Sequence, residues 1–314
     1  MLLRNAQIFC DVVSRRSFSR AAKAWDVTQP AVSQALQQLE DHLGTMLIDR
    51  SKRPFVLTAA GETYYEGCRQ LFDDFRRLED QLQGLGDRVA GRVHVSSIYS
   101  VGLLEMAKFV DRFRDEYPDV RLDLDYLHPD EVYDCVHRGE ADLGIVSFPR
   151  EGGEIECIPW HDQEMCLVVP PGHSLAGKTC LDWKQLQGER FVSFTSELRI
   201  RREIDRRLKR RKVAVSIVHA FDNIEIIKRA VEIGSGVALL PLPTVRREVD
   251  AGLLAAVPLP DRDFVRPLGI IHKRQRHLST AAERFIAVLQ AHQALFSTTA
   301  GPVAIPEFPA KRPA

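Results

Sequence analysis

The sequence predicts two architectures in tandem, a small helical unit closed by a β-hairpin and a larger α/β region, joined by one long helix. Three observations predict it. Residues 17–43 hold two stretches of helical periodicity separated by a capped turn, residues 64–85 keep an apolar seven-residue repeat, and from residue 92 strand-like and helix-like stretches alternate twice over. A chain of 314 residues can bury two or three cores, and 45% hydrophobic with 27% charged residues is the balance of a soluble globular protein.

Taken in order, residues 2–14 predict a helix with Ala6, Phe9 and Val13 on one side. Ser17 and Ser19 cap a second, short helix whose apolar positions are Phe18, Ala21, Ala22 and Trp25. Thr28 caps a third, with Pro30 in its first turn, where a missing N–H costs nothing. Val32, Ala35, Leu36, Leu39 and Leu43 make its apolar stripe, and Gln29, Ser33, Gln34, Gln37 and Gln38 fill much of the rest, with no Lys or Arg from 28 to 43. A polar but uncharged face suits the edges of base pairs, because Gln forms paired hydrogen bonds to adenine and Ser reaches several base edges. The plainer alternative is an ordinary helical hairpin. Past Gly44, residues 46–58 predict a hairpin whose turn carries Arg50, Lys52, Arg53 and Pro54, cations placed to sit over phosphates. Residues 1–60 hold eight Lys/Arg against five Asp/Glu, while the whole chain is neutral, so the basic excess is local.

From Thr58 a helix is predicted to about residue 85. Tyr64, Cys68, Leu71, Phe75, Leu78, Leu82 and Leu85 keep a 4,3 spacing along it, flanked by Asp74, Arg76, Arg77, Glu79 and Asp80. Such a seam calls for a partner helix; the alternative is packing on its own domain. Gly84, Gly86 and Gly91 predict a hinge over 84–91. Strands at 92–98, 120–127 and 143–147 then alternate with helices at 103–117 and 131–138, which predicts a parallel sheet. A second series places strands near 165–170, 190–194, 213–219, 237–240 and 253–257 and helices near 200–211, 223–233 and 243–250, followed by a strand at 268–272 and a helix at 280–295. Residues 298–314, rich in Pro and Ala, predict a disordered tail.

Small molecules bind open α/β sheets in the crevice beyond the carboxyl ends of the strands. Ser96, Ser97, Tyr99 and Ser100 follow the first strand, Ser147 ends another, and Ser193 and Thr195 end one in the second series. Hydroxyls beside helix N-termini favour a small anion; the alternative is that they only cap helices. Nine cations crowd residues 199–212, but Ile200, Ile204 and Leu208 recur every fourth position, so a solvated face on an inward stripe accounts for them better than a second nucleic-acid contact. Arg199 or Arg202, near the helix start, remains within reach of an anionic ligand.

The six cysteines lack a C-x-x-C pair and read as buried thiols. Phosphate-loop, nucleophile-elbow, dinucleotide and zinc-protease motifs are absent, and the ten histidines lack ligand spacing, so no catalytic residue, metal or cofactor is expected. Without an apolar run of about 20 residues or a cleavable leader, the expected location is the cytoplasm and no membrane contact is expected.

Residues 1–65 resemble the winged helix-turn-helix of the LysR-type transcriptional regulators. The resemblance is carried by FCDVV, SFSRAAKAWDVTQPAVSQALQQLEDHLG, LIDR and TAAGETYY, with Ile48 standing where the family usually has Phe. CLVVPPGHSLAG and AVEIGSGVALLPLPTV resemble landmarks of the family's periplasmic-binding-protein-like effector domain, two α/β subdomains crossed near 161–164 and 262–267. The resemblance implies a DNA-binding domain at 1–60, a dimerisation helix and hinge at 61–91, an effector domain at 92–297 (subdomain I, 92–162 and 267–297; subdomain II, 163–266) and a tail at 298–314. It implies DNA contacts from Ser17, Ser19, Thr28, Gln29, Pro30, Ser33, Gln34, Gln37, Arg50, Lys52 and Arg53. It further implies effector contacts from Ser96, Ser97, Tyr99, Ser100, Ser147, Ser193, Thr195 and Arg199, and an antiparallel dimer seam of Tyr64, Leu71, Phe75, Leu78 and Leu82. The implied partners are double-stranded operator DNA, a small anionic effector, one or three further copies of the chain, and RNA polymerase. Two rivals stand beside this reading: a constitutive DNA-binding oligomer without effector, and a small-molecule-binding enzyme.

Overall fold

The computed structural model describes residues 2–52, 54–83, 89–102, 106–274 and 278–291, the side chains of 73, 76, 77 and 79–83 excepted. Arg53, the side chain of Leu82, Leu85, Gly84, Gly86 and the tail at 298–314 therefore lie outside the described residues. The chain forms two compact units, Met1–Gly86 and Asp87–Ala314.

The first unit runs α1 (Leu2–Arg15), α2 (Phe18–Ala24), α3 (Gln29–Leu43), β1 (Ile48–Asp49), β2 (Val56–Leu57) and α4 (Ala59–Gln83). The caps predicted at Ser17 and Thr28 form, their hydroxyl oxygens accepting from the N–H groups of Arg20 and Ala31, whereas Ser19 lies inside α2. Phe9, Val12, Val32, Leu36 and Leu39 are fully buried and hold the three helices together. The predicted stripe of α3 ends a turn early, since Ala35 is half-buried and Leu43 exposed. Gly44 takes the left-handed conformation, φ +67°, and turns the chain into the wing strand. Glu40 fills the place that the stripe leaves. Its Oε1 accepts from the N–H groups of Leu47 and Ile48 at 2.8 and 3.1 Å, satisfying buried donors where the antiparallel pair β1–β2 begins. Thr58 Oγ1 accepts from Gly61 N–H at 2.9 Å and donates to the Met46 carbonyl at 2.7 Å, starting α4 against the wing.

The second unit runs β3 (Gly91–Ile98), α5 (Tyr99–Gly102), α6 (Met106–Glu116), β4 (Val120–Leu127), α7 (Pro129–His137), β5 (Leu143–Ser147), β6 (Ile155–Val169), β7 (Arg190–Phe194), α8 (Arg199–Arg210), β8 (Ser216–Phe221), α9 (Ile224–Glu232), β9 (Ala238–Pro241), α10 (Arg246–Asp250), β10 (Ala255–Pro258), β11 (Val265–Lys273) and α11 (Thr280–Ala291). β3 pairs in parallel with β4 and β5, and β7 with β8. The expectation of a parallel sheet fails beyond those pairs. β11 runs antiparallel to β5 and β6, and β6 runs antiparallel to β9 and β10, so seven strands make one mixed sheet in the order β10-β6-β11-β5-β3-β4, with β9 also on β6.

The correction has one source, the length of β6. Its second half, from Met165, is a buried apolar run that the pattern reveals; its first half mixes charged, half-buried residues with Pro159 and shows no period. β6 exchanges its partner β11 for β9 and β10 around residues 164–166, at the predicted crossing. Each subdomain keeps a core of its own. Val95, Phe109, Phe113, Ile145, Ile270 and Phe285 lie at the centre of one, and Leu167, Val192, Ile204, Ile227, Leu239 and Val257 at the centre of the other.

Candidate nucleic-acid interface and effector cleft

The outer face of α3 is polar and largely exposed. Gln29, Pro30, Gln34 and Gln37 are exposed and Ser33 is half-buried. Gln29 donates to Ser33 Oγ at 3.0 Å, Gln37 to Asp41 at 2.9 Å, and Gln38 accepts from Asn5. Among the described residues the amide of Gln34 has no intramolecular partner, so both its donor and its acceptor are available outward. Ser19 is exposed on the preceding helix, and the Ser17 and Thr28 hydroxyls face the N-termini they cap.

In the wing, Lys52 is exposed. Arg50 has a second task that the sequence does not announce. Its Nη2 donates to Glu40 Oε2 at 3.2 Å and its guanidinium lies 5.6 Å from the Phe18 ring centroid, so it joins α3, α2 and the wing before it meets any phosphate.

The heptad of α4 divides into two parts. Tyr64 lies against Phe9, with ring centroids 5.8 Å apart, and Cys68 is buried, so the first two positions pack on their own unit. Leu71, Phe75 and Leu78 are 53, 49 and 58% exposed, an apolar row uncovered in the single chain. Burial and the neighbouring Cys68 raise the Cys10 thiol far above its ordinary pKa, burial raises Cys68, and burial pushes Cys166 up to about 12. These are protonated packing groups; the expectation of six buried thiols holds for Cys68 and Cys166, while Cys10, Cys135 and Cys157 are half-buried and Cys180 is exposed.

The predicted effector residues separate. Ser96, Ser97 and Ser193 expose essentially no surface; the adjacent Ser96 and Ser97 point to opposite faces of β3, and both faces are covered, with α7 and α11 packed on the strand. Ser97 Oγ turns to the Ile98 carbonyl at 3.3 Å, and Ser193 Oγ is buried with no hydrogen-bond partner among the described residues. Tyr99 is exposed, Ser147 is half-buried, and the Thr195 hydroxyl oxygen is buried. Ser100, at the start of α5, accepts from Arg266 Nη1 at 2.9 Å. Arg266 is only 2% exposed and also donates to Gln163 Oε1 through Nε at 2.8 Å and through Nη2. Gln163 and Arg266 face each other in register on the crossover strands, so this network links the pivot of the two subdomains to the end of β3.

The Glu197 carboxyl is held below its usual pKa chiefly by its own backbone N–H, then by the Thr195 and Ser196 hydroxyls, with the His128 imidazole adding to the effect. Neither Arg266 nor Gln163 shows in the sequence, since an isolated Arg or Gln in a strand carries no signal. Arg199 belongs elsewhere: its Nη1 donates to the Phe148 carbonyl at 2.9 Å.

The family described as "Bacterial regulatory helix-turn-helix protein, lysR family" matches residues 3–62, and "LysR substrate binding domain" matches residues 86–294. A probable RuBisCO transcriptional regulator of Trichormus variabilis is 32% identical, covering 86% of this chain and 82% of that protein. CysL of Bacillus subtilis is 24% identical over 90% of this chain and 95% of that one. Among solved structures, a full-length OxyR cysteine variant from Pseudomonas aeruginosa superposes with a TM-score of 0.71 at 21% identity, covering 94 and 95% of the two chains. CbnR, a LysR family regulator, gives 0.65 at 19% identity over 93 and 99%. With both of its units matched and its reading helix exposed, the chain belongs to the LysR family and is a ligand-responsive, sequence-specific DNA-binding transcriptional regulator.

Proposed function

We propose that the chain grips its operator as a homodimer or homotetramer, that Gln34 reads a base edge, and that a small anionic effector acts through the Ser100–Arg266–Gln163 network. Exposed wing cations set the register on phosphates, and Leu71, Phe75 and Leu78 meet a second copy of α4, which supplies the second recognition helix. One contact carries the effector reading: a buried arginine on the strand that joins the subdomains donates to the serine that opens α5. An anion that competes for Arg266 changes the balance between closed and open arrangements by the difference of its affinities for the two. On this reading the protein works in the cytoplasm without a catalytic step and passes its signal to RNA polymerase.

The test is a thermal-shift panel of metabolite carboxylates and phosphates, followed by operator binding with each hit. Ser100→Ala weakens effector binding by about 1.5–3 kcal/mol, the worth of a hydrogen bond to a charged group, and leaves effector-free operator affinity unchanged. A Ser100→Ala variant that responds at an unchanged effector concentration places the effector elsewhere. Leu78→Glu puts a charge in the seam, and light scattering then shows dissociation or aggregation; an intact folded oligomer would remove α4 from the interface.

A further inference from the structure

The other face of the crossover strands holds a cavity of about 700 Å³. Residues paired across the ladder project to the same side and successive residues to opposite sides. Gln163 and Arg266 are one such pair, committed to Ser100; Asp162 and Pro267 are the next, and both line the cavity. None of the eight residues predicted to touch the effector lines it except Arg199. Its walls come from both subdomains: Phe148 and Pro149 follow β5, while Arg199, Arg202, Glu203 and Arg206 come from α8.

The charge of this cavity is unbalanced. Arg206 is taken by Glu203 at 2.6 Å. Arg199 and Arg202 donate only to backbone carbonyls among the described residues, those of Phe148 at 2.9 Å and Glu197 at 3.0 Å. Arg150, whose side chain makes no ion pair among the described residues, stands close enough to Arg199 to repel it. Burial first, then Arg150 and Arg202, lower the pKa of the Arg199 guanidinium. The other acids near α8 are used: Asp205 takes Arg201, and Asp261 takes Arg207 and Arg211. Asp162 and Glu203 are the carboxylates of the lining, and Glu203 is held by Arg206.

The backbone adds a further sign. Phe148, whose carbonyl receives Arg199, has φ +49°, a conformation that is costly for a bulky residue and gathers at binding sites and switches. Loop 148–150 and α8 belong to different subdomains and already touch through the Arg199–Phe148 bond and the packing of Phe148 on the second core, so a ligand held by both reinforces that tie.

The geometry points to a second ligand site here, in which Arg199 and Arg202 bind a small organic dianion, with Arg150 adding positive charge from outside the lining, and the ligand braces the two subdomains. The site is independent of the Ser100–Arg266 reading and lies across the crossover strands from it. Two guanidinium groups three residues apart on α8 match the divided charge of a phosphomonoester or a dicarboxylate, and Pro149, Pro159 and Phe148 offer apolar contact to its carbon frame.

Titration calorimetry on the full-length protein tests it with three probes: glycerol 3-phosphate, succinate and, as the neutral control, glycerol. One of the two dianions binds once per chain, identifying the class, and glycerol does not bind. Arg199→Gln with Arg202→Gln weakens that binding about tenfold or more, Arg150→Gln weakens it less, and Asp162→Asn tightens it. Ser100→Ala leaves it unchanged, which separates this site from the cleft. Where the double variant melts early, Arg202→Gln alone carries the test, because that side chain is exposed and holds a single backbone contact. Silence from both dianions, an unchanged affinity in a well-folded Arg202→Gln or double variant, or loss of binding in Ser100→Ala would overturn the proposal.

Discussion

Helices α3 and α8 have opposite outer faces, and their fates are the reverse of what charge density suggests. α8 carries the densest run of cations in the chain. The folded protein spends much of it internally: Arg201 and Arg206 on acids of the same helix, Arg207 and Arg211 on Asp261, whose carboxylate is 6% exposed. Arg207 also lies 4.8 Å from the Phe264 ring centroid, which ties the helix to the loop before β11. α3 has no Lys or Arg; Gln29, Gln37 and Gln38 bond to neighbours, while Gln34 is free of intramolecular partners among the described residues. A charge finds an opposite charge within its own fold when the geometry allows. An exposed neutral amide without such a neighbour keeps its bonds for a ligand that presents a matching edge.

The comparison is broken most severely by removing the acid that α8 depends on. Asp261→Ala leaves Arg211 without its carboxylate and Arg207 with Asp263 alone, and costs about 1.5–3 kcal/mol in urea unfolding, the worth of hydrogen bonds to a charged group. A loss below about 0.5 kcal/mol would mean that α8 is held by Ile200, Ile204 and Leu208 alone.

On the other helix, Gln34→Ala loses about 1–3 kcal/mol on the operator and almost nothing on random DNA, whereas Lys52→Ala weakens both, as read by fluorescence anisotropy at fixed salt. Equal losses on both DNAs for Gln34→Ala would end its base-reading role.

The smallest effect sharpens the contrast. Lys209→Gln with Arg210→Gln removes two exposed cations that have no ion pair among the described residues, so stability stays within about 0.5 kcal/mol and operator affinity does not move. A drop in operator affinity would make α8 a second DNA contact after all.

The sequence by itself determined the local elements of this protein. Caps at Ser17 and Thr28, the stripe of Val32, Leu36 and Leu39, the buried run after Met165 and the αL glycine at 44 each depend on residues within a few positions, so spacing and side-chain chemistry reveal them. It also showed the polar outer face of α3, because an amphipathic helix displays its outer side in its period.

What only the tertiary structure decided joins distant segments. Glu40 satisfies Leu47 and Ile48 and receives Arg50; Arg266 reaches Ser100, 166 positions away; β6 and β11 make two subdomains share one antiparallel ladder. The hydroxyls of Ser96, Ser97 and Ser193, which looked available at strand ends, are closed off by the layers packed on their strands. None of this has a sequence period, because a hydrogen bond between remote residues constrains each end singly and leaves no repeating mark. Whether a polar side chain becomes a strut, a buried hydroxyl or a ligand contact is set by what the fold brings opposite it.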